Sequence, residues 1–159
     1  PQTVTATGVD DVIIDGTQPY TIVTGLATSL DTSFAGVNPA DVALTNTDND
    51  VASLVANPSS GLVTTETGGT ATFQLTLSSQ PLADVVVAIA SSNANEGTAA
   101  PASATFTAIT WNVAQTVTVT GVDDLVFDGP TPYAIQLSAS SPDPAYDLAT
   151  GSVSVTNNP

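Results

Sequence analysis

The sequence predicts an all-β chain built from antiparallel sandwiches, and three observations carry that reading. Apolar residues recur with a period of two along most of the chain. No window keeps a helical apolar period for three turns, so helix is expected to be negligible. One segment is also written twice, at an offset of 113 residues. Gln2-Thr-Val-Thr-Ala-Thr-Gly-Val-Asp10-Asp11 becomes Gln115-Thr-Val-Thr-Val-Thr-Gly-Val-Asp123-Asp124, and Asp15-Gly16 becomes Asp128-Gly129. Pro19, Tyr20 and Ile22 match Pro132, Tyr133 and Ile135 at the same offset. A fixed internal period is the mark of a repeat architecture, so the chain reads as a piece of a tandem array.

The alternation is clearest where Phe73, Leu75 and Leu77 face one way and Thr72, Gln74 and Thr76 the other. Val117 and Val119 alternate with Thr116, Thr118 and Thr120, and Val153 and Val155 with Ser152, Ser154 and Thr156. Such β-branched, half-buried patterns suit antiparallel strands. From residue 58 onward seven strands are expected, at 61–66, 70–78, 84–91, 102–109, 115–122, 132–139 and 151–157. Short strands at this spacing, broken by Gly, Pro, Asn and Asp, read as an immunoglobulin-like sandwich. A parallel solenoid is the competing repeat fold, but its period is far shorter than about 110 residues.

Residues 1–50 supply only the last three strands of a preceding copy, near 2–9, 19–26 and 41–46. Three strands leave one apolar face open. Residues 51–60 are read as a linker, ending in Asn57-Pro58-Ser59-Ser60, and 61–159 as the complete repeat. Val51, Leu54 and Val55 suggest that the linker packs.

Composition narrows the function. Fifteen acids stand against no Lys, Arg or His, a formal net charge of −15, while 42% apolar residues suffice for a core. Nucleic acid and anionic membrane surfaces are excluded as partners, because both need cationic side chains. No apolar run approaches the roughly 20 residues of a membrane span. With no Cys there is neither disulfide nor thiolate metal site. The lack of Cys and Lys with abundant Thr and Ser suits a secreted bacterial surface protein, and the missing Met and signal peptide suggest an excerpt of a longer polypeptide. Without His, Cys or Lys the usual acid–base and nucleophilic constellations are absent, so an enzyme is not expected.

In a seven-strand antiparallel tally, the first, third and fifth loops share one pole with the end of the last strand. Glu66, Glu96, Asp123, Asp124 and Asp128 fall there in the complete repeat, as do Asp10, Asp11, Asp15, Asp48 and Asp50 in the partial one. Asp31, Asp41, Asp84, Asp143 and Asp147 fall at the opposite pole. Unscreened carboxylate pairs repel by about 1 kcal/mol at ~4 Å even in water. A bound cation removes that cost, and hard oxygen ligands in number describe calcium, with Asn93, Asn95, Asn157 and Asn158 placed to complete a shell. The plain alternative is that these residues only cap turns.

Certain strings sharpen the reading. Thr64-Thr-Glu66-Thr-Gly-Gly-Thr-Ala-Thr-Phe73, Asn95-Glu96-Gly97, Phe106-Thr-Ala, Trp111-Asn and Gln115-Thr-Val-Thr-Val-Thr-Gly-Val-Asp-Asp resemble Calx-β-type repeats of large bacterial surface proteins. The resemblance covers 58–159 and, in 1–50, the second half of one repeat. It implies calcium ligation by Glu66, Glu96, Asp123 and Asp124, and by Asp10 and Asp11 in the partial copy. It also implies adhesive, scaffolding or filament roles outside the cell. The chain departs from the family in its shorter acidic run, with Leu125-Val-Phe before Asp128. The leading expectation is a calcium-stabilised module of a secreted surface fibre or adhesin, with copies joined head to tail by strand complementation. The alternative is an extracellular module binding carbohydrate, a host surface or ice, through an exposed aromatic or a Thr face. Trp111 is expected in the core, and Tyr20 and Tyr133 at tyrosine corners, each bonding back to nearby backbone.

Overall fold

The computed structural model describes residues 2–124, 126 and 129–159. The chain forms two compact units, one of Pro1–Asp11 and Asp15–Asn49, the other of Val12–Ile14 and Asp50–Pro159. Among the described residues all regular structure is strand.

The first unit holds β1 (Gln18–Ile22) and β2 (Val42–Asn46), paired antiparallel with Tyr20 opposite Leu44. Residues 2–9, expected as a third strand, are irregular. Their counterpart in the second unit is β9 (Gln115–Gly121), which lies between two partner strands. The first unit has no sequence equivalent of those partners, so the same Thr–Val alternation finds no ladder to join.

The second unit is a sandwich of nine strands, the immunoglobulin-like fold expected. One sheet has the order β4-β11-β10-β6-β8 and the other β3-β5-β9-β7. The strands are β3 (Leu54–Asn57), β4 (Leu62–Thr65), β5 (Thr70–Leu77), β6 (Val85–Ser91), β7 (Gly97–Ala100), β8 (Ser103–Phe106), β9, β10 (Thr131–Ser140) and β11 (Thr150–Asn158). All ladders are antiparallel except β11 with β4. Alternation does what it was expected to do: Phe73, Leu75, Leu77, Val117 and Val119 from one sheet meet Val85, Val87, Ile89, Ile135, Leu137, Val153 and Val155 from the other, all buried.

Two strands were missed in the sequence. Leu54–Asn57, within the stretch read as linker, is β3 and pairs with β5. Leu54 and Ala56 pack on the core, and Ser53 N donates to Ser78 Oγ at 2.8 Å. The short β7 lines the other edge against β9. The strand expected at 102–109 ends at Phe106, because Thr107 Oγ1 accepts from the N–H groups of Ile109 and Thr110 and turns the chain. Val12–Ile14 belong to this unit through Gln80, whose N–H donates to the Val12 carbonyl at 2.7 Å.

Candidate metal centre

Backbone hydrogen bonds bring four chain segments to one pole of the second unit. Glu66 N donates to the Asn158 carbonyl at 2.9 Å, joining the end of β4 to the end of β11. Gly121 N donates to Gly69 O and Val122 N to Glu96 O, both at 3.0 Å, which ties the start of the Asp123-Asp124 loop to the two other acidic turns. The loop alternation deduced from the sequence therefore holds: Glu66, Glu96 and Asp123 leave the sandwich at the same end.

Each turn has a local cause. Thr65 O accepts from Gly68 and Gly69 N–H, and Gly68 sits at φ 85°, a left-handed conformation that suits glycine. Asn93 O accepts from Glu96 and Gly97 N–H, while Asn93 Oδ1 accepts from Asn95 N. Gly97 has no room for a side chain, since an added Cβ would lie 2.6 and 2.9 Å from carbons of the Tyr133 ring. Asp124 Oδ1 caps its own loop by accepting from Val126 N at 2.9 Å.

Glu96 is the unusual member. Its side chain is only 4% exposed, and the sequence contains no Lys, Arg or His to pair with it. Asn157, fully buried, donates from Nδ2 to Glu96 Oε2 at 3.3 Å and to the Val122 carbonyl at 3.0 Å. Asn157 Oδ1 accepts from the buried Thr64 hydroxyl at 2.9 Å, and Thr64 Oγ1 lies 3.1 Å from the Tyr133 hydroxyl. Burial raises the Tyr133 pKa above its ordinary value; the Thr64 hydrogen bond opposes that shift and the nearby Glu96 charge adds to it.

Calcium fits the chemistry of this donor set, which is all oxygen and all anionic or neutral. Among the described residues, however, no three acids gather closely enough to hold a metal on their own. A bound ion would draw on main-chain carbonyls and water as well. Asp128 lies outside the described residues. Asn157, considered as a ligand, has its amide turned inward instead.

In the first unit Asp10, Asp11 and Asp15 are exposed, and Asp48 Oδ2 accepts from Gly16 N at 2.7 Å, so Asp48 meets the Asp15-Gly16 turn. Asp50 belongs to the second unit. At the opposite pole the plain turn reading suffices. Asp143, 4% exposed, accepts from Leu82 and Ala145 N–H, Asp31 accepts from Ser33 N, and Asp41 accepts from Thr24 N.

The tyrosine-corner expectation is corrected for Tyr133. The Tyr133 hydroxyl meets a side chain 69 residues away. Tyr146, not singled out in the sequence, is the one bonded to backbone: its hydroxyl donates to Ser79 O at 2.7 Å and accepts from Ser79 N at 3.0 Å. Trp111 is half-buried against the core. The outer Thr face is real, with Thr70 opposite Thr120 and Thr120 opposite Thr98 across three strands.

Neither a known family model nor a curated protein matches the chain. Solved structures do. The crystal structure of the YadV chaperone aligns at TM-score 0.50 and 12% identity, over 67% of this chain and 51% of that one. SSP-19, an MSP-domain protein like family member of Caenorhabditis elegans, aligns at 0.49 and 20%, over 66% and 99%. The surface layer protein SbsC, domains 1–6, aligns at 0.45 and 14%, over 93% and 20%. The fold is an immunoglobulin-like β-sandwich. At these identities the likeness extends to the fold alone, and this chain spans about half of the chaperone it resembles.

Proposed function

We propose that the chain is a non-enzymatic, calcium-stabilised repeat module of a secreted bacterial surface fibre or adhesin, joined head to tail with further copies. The observation that carries the calcium reading is Glu96, a buried carboxylate in a chain without a single cationic side chain, at the pole where Glu66, Asp123 and Asp124 also emerge. A buried charge of this kind is costly unless it is paired, and a hard cation supplies the missing charge. Glu66, Glu96, Asp123 and Asp124 would hold the ion in the second unit, and Asp10 and Asp11 with Asp15 and Asp48 would form the counterpart in the first. In the second unit Glu66, Glu96, Asp123 and Asp124 would be relieved of their mutual repulsion by such an ion, which would supply only charge neutralisation at the end of β11.

The assembly reading rests on the first unit. Tyr133 and Ile135 are 7% and 0% exposed, whereas their repeats Tyr20 and Ile22 are 36% and 37% exposed. In the second unit β10 pairs with both β11 and β6. Among the described residues β1 pairs with β2 alone. A strand of β6 type from another copy would cover that edge, and contacts of this heterologous kind propagate into filaments rather than closing.

Melting with millimolar calcium and with a chelator tests the ion. Extracellular sites of this type have Kd on the order of 10⁻⁴–10⁻³ M, so stabilisation of about 2.7 kcal/mol per site requires calcium at ~100-fold Kd, roughly 10–100 mM. Sodium chloride at matched ionic strength is the necessary control, because a net charge of −15 gains from any screening. A calcium shift no larger than the sodium shift removes calcium from the account.

A further inference from the structure

The two copies share a contact that reaches beyond the strings by which their repeat is recognised. In the second unit Asn157, at the end of β11, donates from Nδ2 to the Val122 carbonyl, and its Oδ1, together with the Thr65 carbonyl, fills the space that a Cβ on Gly121 would need. In the first unit Asn46, at the end of β2, donates from Nδ2 to the Val9 carbonyl at 2.8 Å, and its Oδ1 fills that space at Gly8. Gly8-Val9 and Gly121-Val122 are the residues immediately before the paired acids Asp10-Asp11 and Asp123-Asp124. The Asn46 contact forms although the first unit has no segment equivalent to Glu96. Clamping the acidic loop is therefore the common role of this amide, and the bond to Glu96 is added to it where the sandwich is complete.

We infer that Asn157 is the positioning residue of the acidic pole: one buried amide holds the Glu96 carboxylate with one hydrogen and the root of the Asp123-Asp124 loop with the other, setting the distance between the two anionic arms. The inference rests on the calcium reading above. The physical reasons are direct. A primary amide has two donors that diverge by a fixed angle, so satisfying both fixes the two acceptors relative to each other. Its carbonyl is anchored by Thr64, itself 1% exposed and in contact with Tyr133, so the clamp cannot swing. Gly8 follows from the same geometry, because a Cβ there would occupy the space of the Asn46 amide oxygen; at Gly121 a Cβ would meet the Thr65 carbonyl first and the Asn157 amide oxygen next. Residues that orient metal ligands without touching the metal typically change affinity 10- to 100-fold when removed.

The test uses the full chain, calcium alone as the probe, and two substitutions. Titration calorimetry gives calcium affinity, and thermal melting in chelator gives the stability of the protein without the ion. Asn157→Ala is expected to weaken calcium binding by about tenfold or more, measured at temperatures where the variant is still folded. Asn157→Asp is nearly isosteric and keeps the acceptor for Thr64, but sets a second carboxylate against Glu96. It is expected to lower the melting temperature in chelator and to recover most of that loss in calcium, so that its calcium-induced shift exceeds that of the parent. A merely structural asparagine gives losses of equal size with and without calcium in both variants, and that result overturns the inference while leaving the calcium reading intact. A parent chain that shows no calcium binding at millimolar concentration overturns both.

Discussion

Single residues in the two copies differ in ways that set measurable costs. The loop after β1 and the loop after β10 are built alike: Asp31 N donates to Ser29 Oγ and Asp143 N to Ser141 Oγ, and each aspartate then accepts from the N–H two residues on. The loop closes at Gly36 with φ 78° in the first unit and at Leu148 with φ 64° in the second. Left-handed backbone costs a non-glycine residue roughly 1–2 kcal/mol, partly offset by the entropy glycine loses on folding. Leu148 is 80% exposed and brings no core contact in return. Leu148→Gly should therefore stabilise the second unit by about 0.5–1 kcal/mol in urea denaturation; an unchanged or lower midpoint would show that the loop carries no strain there. Gly97→Ala should do the opposite, at about 1–3 kcal/mol, because the new methyl group overlaps the Tyr133 ring. Tyrosine also sets the alkaline limit. The Tyr133 pKa is raised in the fold, chiefly by burial, so the unfolded chain loses its proton first. The stabilisation is whole below about pH 10 and is lost as pH rises through the folded-state value. Tyr133→Phe should flatten that decline in a comparison of denaturation midpoints at pH 9 and 11.

Strands in this protein form only where a partner exists. The Thr–Val alternation of 2–9 and that of 115–121 are nearly the same sequence, yet only the second is a strand, held between β5 and β7. Propensity for strand is a preference for a pleated surface already half-built. Phe73 and Leu75 on β5 are 1% and 0% exposed, and Phe73 stands beside Val117 on β9 in the same buried layer. Phe73→Ala should cost about 3–5 kcal/mol, read from the second unit's melting. A comparable loss is not expected from Phe34→Ala. Phe34 matches Tyr146 in the repeated loop, but it is 62% exposed where Tyr146 is wholly buried against Ser79.

Across the whole chain, every buried apolar side chain among the described residues lies between Leu62 and Val155. The second unit thus has a closed core, while the first has, among the described residues, two strands on which Tyr20, Ile22 and Val42 are exposed. A fragment of residues 50–159 should melt cooperatively on its own and stay monomeric in sedimentation. The full chain is expected to associate with rising concentration through its first 49 residues, and Ile22→Asp on β1 should abolish that association. Association that survives the substitution would mean that another surface mediates it.

Much of this was legible in the sequence, because period-two alternation is a local property and repeats are visible by inspection. The second sandwich and its buried faces follow from that alternation, and the convergence of Glu66, Glu96 and Asp123 at one pole from loop parity, although the count of seven strands missed β3 and β7. Two further repeats, Thr45-Asn46 with Thr156-Asn157 and Asp31 to Phe34 with Asp143 to Tyr146, were also there to be found. They escaped because small deletions move the offset from 113 to 112 and 111. Other features needed the tertiary structure. Leu54–Asn57 carries only four residues of weak alternation, and it becomes a strand because the edge of β5 lies open beside it. Residues 2–9 carry a strong pattern and stay irregular, since a ladder is a property of pairs and not of segments. The amide of Asn157 could not be assigned from sequence, where it looked like one more oxygen at an acidic pole. Its burial, and the two acceptors its nitrogen meets, exist only once β4, β7, β9 and β11 have been brought to the same end of the sandwich.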